Sequence, residues 1–64
     1  MGKAKVEFAP DGIHWQTIKK GKLGKLLDYF NFSPDIQTQL WLNPFAKFRL
    51  VGDEKIIGVL PREK

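Results

Sequence analysis

Between Gly21 and Ser33-Pro34 the chain carries a single helical stripe. Leu23, Leu26, Leu27 and Phe30 fall at i, i+3, i+4 and i+7, which makes one apolar face about three turns long. Pro34 ends it, because the residue before a proline is pushed out of the α region. Lys22 and Lys25 stand at its start, where cations oppose the helix dipole, so packing of the stripe must hold the helix together. One amphipathic helix can cover one face of one sheet. The 64 residues leave room for a single small core, since a chain of this length buries only about 60% of the surface its unfolded form exposes.

The remaining segments read as strands. Lys5-Val6-Glu7-Phe8 alternates polar and apolar, Pro10-Asp11-Gly12 is turn chemistry, and Ile13–Ile18 resumes a strand-like composition; together they predict a hairpin. Lys20-Gly21-Lys22 then breaks the pattern before the helix. After Pro34, Ile36, Thr38, Leu40 and Leu42 alternate with Gln37, Gln39 and Trp41, which predicts another strand. Asn43-Pro44 turns the chain, Lys47–Val51 alternates, Gly52-Asp53 turns again, and Lys55–Leu60 is a short apolar strand closed by Pro61. Residues 62–64 are expected to be a frayed polar tail. The order strand, strand, helix, then two or three strands predicts one α+β domain over residues 1–64, with one sheet face left open.

Composition limits the chemistry. Cysteine is absent and His14 is the one histidine, so thiol catalysis and a histidine- or thiolate-built metal site are excluded, and no cofactor is expected. No Ser-His-Asp set, phosphate-binding glycine loop or paired carboxylates are present, and an enzyme is not expected. Apolar runs are too short to span a membrane, and no signal-peptide core opens the chain; a cytoplasmic location is the expectation. The formal net charge of +4 suits an acidic protein or a nucleic acid.

Three short motifs resemble the sulfur carriers ThiS and MoaD: Lys20-Gly21-Lys22-Leu23-Gly24-Lys25-Leu26-Leu27, then Leu40-Trp41-Leu42-Asn43, then Leu50–Ile57 with its Gly-Asp turn. That resemblance, over residues 4 to 61, implies a β-grasp ββαββ(β) fold, a mixed sheet with one helix packed on one face. It does not carry the carriers' chemistry with it. Those proteins work through a carboxy-terminal Gly-Gly, and this chain has Leu60-Pro61-Arg62-Glu63-Lys64 instead. A divergent sulfur carrier is therefore the third reading.

The first is a ubiquitin-like interaction module. If Leu40 and Leu42 face the helix, alternation sends Trp41 to the open sheet face, where Lys47, Arg49 and His14 would join it to dock a larger, acidic protein. Trp15 shares parity with Ile13 and is expected in the core, His14 at the surface. The second reading is a small nucleic-acid binder using Lys19, Lys20, Lys22 and Lys25 at the junction between hairpin and helix. An exposed edge strand would suit either a monomer or a homodimer.

Overall fold

The computed structural model describes residues 2–61; the tail expected at 62–64 lies outside the described residues. Six elements follow in order: β1 (Lys3–Ala9), β2 (Gln16–Lys22), α1 (Leu23–Phe32), α2 (Pro34–Leu42), β3 (Lys47–Gly52) and β4 (Lys55–Leu60). The strands form one sheet in the order β2-β1-β3-β4, and each of its three pairings is antiparallel. The α+β class and the single helical layer are as the sequence predicts. The mixed sheet is not: no parallel pair occurs among the described residues, and two helices stand where one was expected.

The second helix replaces the strand predicted after Pro34. Ile36 and Leu40 satisfy a period of two and also a helical i, i+4 spacing, so alternation alone cannot separate the two. Thr38 and Leu42 decide it, since both are exposed where a half-buried strand would hide them. Pro34 ends α1 and at the same time sits in the first turn of α2, a position its fixed φ suits, and Asp35 complements the dipole there. The Ser33 amide closes α1 on the Tyr29 carbonyl at 3.0 Å, and the Ser33 carbonyl accepts the Gln37 amide at 3.2 Å. The two helices therefore hinge on one buried serine.

The first hairpin is longer and shifted. Asp11 Oδ1 accepts the amides of Ile13 and His14, each at 2.8 Å, while Gly12 at φ +78° donates to the Ala9 carbonyl at 3.1 Å. This side-chain-closed turn holds Ile13, His14 and Trp15 out of the strand. Strand β2 begins at Gln16 and runs through Lys20-Gly21-Lys22, the segment expected to break it, because β1 pairs with it as far as Lys3↔Lys22. Helix α1 starts with no side-chain cap and no acidic residue in its first turn; the Gly2 carbonyl takes the Leu23 amide instead.

Leu26 and Phe30 of α1 and Ile36 of α2 pack onto Ala4, Val6, Phe48, Leu50 and Leu60 of the sheet, with Leu23, Leu27 and Phe8 closing the margin. Val6 and Leu50 are opposite one another across β1 and β3 and are both 0% exposed. Gly58 of β4 lies under the α1 ring: a Cβ there would come 3.2 Å from Phe30 Cε2, so any larger residue would have to push the Phe30 ring aside by a few tenths of an ångström.

The β3–β4 turn is strained. Gly52 pairs with Lys55, which leaves Asp53 and Glu54 as a two-residue loop with φ of 49° and 65°. Mirror-image hairpin turns require positive φ at both positions and favour Asn-Gly; a non-glycine residue there costs on the order of 1 kcal/mol. Asp53→Asn with Glu54→Gly should therefore raise the stability of the domain by about 1 kcal/mol. In urea unfolding the midpoint should move up with an unchanged slope.

Candidate functional site

Burial of Val6 under the helices fixes which side chains face outward. Residues that alternate with it on β1, namely Lys3, Lys5 and Glu7, point to the open side of the sheet, and directly paired residues share a face. Lys3 pairs with Lys22 and Lys5 with Lys20. Across the other edge of β1, Glu7 pairs with Arg49 and Ala9 with Lys47. Six of the eleven basic residues thus occupy one face of the sheet. Beside them, Val51, Ile56 and Val59 continue that face over β3 and β4 as an aliphatic border.

Two of these pairs set lysine directly opposite lysine. Like charges in directly opposed positions of a sheet destabilise it by a few tenths of a kcal/mol or more. Burial gains little from the β2 side of this arrangement, since all seven residues of β2 are exposed. The four lysines spring from Cβ positions about 5 Å apart across the strands and about 7 Å apart along them. They line a shallow open groove of about 560 Å³ together with Val51, Asp53 and Glu54.

Glu7 sits in the middle of this cationic face at 8% exposure. It accepts a bond from Arg49 Nε at 2.5 Å and lies 3.5 Å from Lys5 Nζ. Burial pushes its carboxyl up, but the Arg49 bond and charge, with Lys5 behind them, outweigh that and hold it below the ordinary carboxylate value. The stability this pair contributes is therefore complete above pH ~4.5 and is lost as pH falls through the lowered value. Arg49 also lies over Trp15, with its guanidinium carbon 4.2 Å from the ring centroid. Trp15 is thus half-buried on the open side of the sheet and not in the core beneath the helices, where parity with Ile13 predicts it.

The lysine cluster expected at the hairpin–helix junction is divided by strand alternation. Lys20 and Lys22 face the open side. Lys19, opposite Val6, faces the helices and sits 4.6 Å over the Tyr29 ring, and Lys25 is exposed on α1. Lys3, Lys5 and Glu7 were not picked out from the sequence, although the polar half of the Lys3–Phe8 alternation was their signal. Trp41 is not on the sheet face at all. It belongs to α2, 84% exposed, beside Leu40, Leu60 and Pro61 in a second shallow depression. Lys47 and Arg49 share the open face as expected, whereas His14 stands apart in the Asp11 turn.

Among the described residues no group of three His, Cys, Asp or Glu side chains could hold a metal ion, and no helix is long and apolar enough to cross a membrane. Comparison with family models, curated proteins and solved structures finds no match for the chain. The likeness to ThiS and MoaD accordingly rests on its short motifs alone.

His14 Nδ1 lies 2.5 Å from Asp11 Oδ2. That hydrogen bond and the Asp11 charge raise the imidazole pKa, while the His14 amide, the His14 ring and the Ile13 amide depress the Asp11 carboxyl. The contribution of His14 is full below pH ~6.5 and fades as pH rises through its raised value. In an NMR titration His14 should therefore have a midpoint above 6.5, and Asp11→Asn should return it to about 6.5.

Proposed function

We propose that the open sheet face binds a nucleic acid through its phosphate backbone. The observation that carries this is the Lys3–Lys22 and Lys5–Lys20 arrangement: two like-charged cross-strand pairs that cost stability and become favourable when an extended anion lies between them. Arg49 and Lys47 continue the charge across the sheet. Glu7, paired with Arg49 and Lys5, offsets one of these positive charges, and Asp53 and Glu54 line the same groove. The interaction-module reading shares Lys47 and Arg49 with this one. Its aromatic anchor, Trp41, stands on α2 instead, and a regular cationic lattice suits evenly spaced phosphates better than the irregular charges of an acidic protein. No sulfur-carrier role is proposed, and the residues it would need at 62–64 lie outside the described residues.

If four phosphates meet the four lysines, the logarithm of the binding constant should fall with the logarithm of salt concentration with a slope of about −3. Lys20→Gln with Lys22→Gln should reduce that slope by about 1.5 and weaken binding, while leaving stability unchanged or raising it by about 0.5 kcal/mol as the like-charge pairs are removed. A variant that loses stability along with affinity would instead make these lysines structural. Salt-insensitive binding would count against phosphate contact.

A second reading has its own observation. Trp41 and Leu42 are 84% and 62% exposed at the end of a helix whose one buried residue is Ile36. An exposed tryptophan in a depression that Leu40, Leu60 and Pro61 share with Gln37 and Thr38 fits the anchor of a protein contact. Trp41→Ala should change stability by less than about 0.5 kcal/mol and weaken binding of any protein captured by this surface by more than about 1 kcal/mol. Nuclease-treated lysate, passed over the wild-type and Trp41→Ala proteins, tests it; unfolding of the variant would make Trp41 a packing residue.

A further inference from the structure

We infer that the nucleic acid held by this face is single-stranded, and that one of its bases stacks on the Arg49 guanidinium backed by Trp15. The inference rests on the phosphate-binding reading above and assigns the ligand class.

Sheet width argues first. Four strands span about 14 Å between the outer strand axes before side chains are added, and the duplex major groove is about 12 Å wide and admits only a helix or a two-stranded ribbon. A duplex laid on this face would present phosphates and no base. An unpaired strand can splay its bases onto it.

The Glu7–Arg49–Trp15 arrangement argues second. A carboxylate buried at the centre of a cationic face opposes capture of an anion, so its value there lies in what it orients. Glu7 binds Arg49 through Nε at 2.5 Å, one of the five donors of a rigid fork, and the guanidinium carbon so held lies 4.2 Å from the indole centroid. Guanidinium planes and aromatic rings are the surfaces on which unpaired bases stack. Val59, directly across from Arg49 and 44% exposed, supplies an apolar flank for the same base. The lysine pairs lie one step further along β1, on the same face, where the sugar–phosphate chain of that nucleotide would run.

Arg49→Lys separates charge from plane. Titrated with a single-stranded oligouridylate, the variant should bind about tenfold more weakly than wild type, and with inorganic polyphosphate of matched charge its affinity should stay within about twofold. A duplex with the same number of phosphates should bind the wild-type protein more weakly than the oligouridylate. A second measurement keeps Arg49 in place: in a Trp41→Phe background the remaining emission is from Trp15, and saturating oligouridylate should quench it while polyphosphate should not. Equal losses for both ligands on Arg49→Lys, or no loss for either, together with unquenched Trp15, would overturn base stacking and leave the lysine site standing. Failure of wild type to bind both ligands would overturn the phosphate-binding reading itself, and base stacking with it.

Discussion

Leu26, Phe30 and Ile36 pack onto Val6 and Leu50, and that one-sided seal governs the rest of the molecule. A sheet covered on one face must present polar side chains on the other, and the alternation of β1 does this by sending every second residue outward. The seal leaves the chemistry of the outward face open; here its β1–β2 half is dominated by lysine. Lys3, Lys5, Lys20 and Lys22 repel one another in a lattice fixed by backbone pairing, so core packing in effect sustains a charged surface that the sheet alone would disfavour. In a domain whose total stability is of the order of 5 kcal/mol, a few tenths per like-charged pair is a meaningful fraction.

Glu7 marks where the face changes character. Toward β2 the surface is lysine, flexible and point-charged; toward β3 and β4 it is planar and apolar, with Arg49 on Trp15 and the aliphatic side chains of Val51, Ile56 and Val59. One carboxylate serves both halves, since it balances Lys5 on one side and fixes the Arg49 fork on the other. Its lowered pKa follows from that double role: two cations outweigh the cost of burial. A protonated Glu7 would lose its charge attraction to Arg49, so the hold on the guanidinium beside the indole weakens as pH falls through the lowered value.

The sequence made much of the core legible and little of the site. The stripe Leu23, Leu26, Leu27, Phe30 and its stop at Ser33-Pro34 correspond to α1, and the alternation of residues 5–8 and 47–51 corresponds to β1 and β3. The segment from Ile36 to Leu42 misled because its even-numbered apolar residues meet two periodicities at once, and Pro34, read as a stop, also starts a helix. The hairpin shifted because Asp11 closes a turn through its side chain and keeps Trp15 out of the strand, which reverses its expected face. In the sequence Lys19, Lys20, Lys22 and Lys25 group by closeness alone. Strand alternation separates neighbours such as Lys19 and Lys20, and antiparallel pairing joins Lys20 to Lys5 and Lys22 to Lys3, so the site lies in a register that no local pattern encodes.

The two exposed surfaces differ in the physics of what they could hold. On the sheet, attraction is electrostatic, falls with salt and acts over roughly a Debye length, about 8 Å at physiological ionic strength. Beside α2, Trp41 and Leu42 offer burial of apolar area, which salt does not screen. They lie on opposite layers of the domain, separated by the packed core, and share no side chain. Substitutions on distant sites without common partners add to within about 0.5 kcal/mol, so the lysine lattice and the Trp41 depression should respond independently to mutation and to ionic strength. A single ligand that engaged both would have to pass around an edge of the sheet. The β4 edge offers the apolar path, through the exposed Ile56 and Val59, and the β2 edge the cationic one; the net effect of salt on binding would distinguish the two.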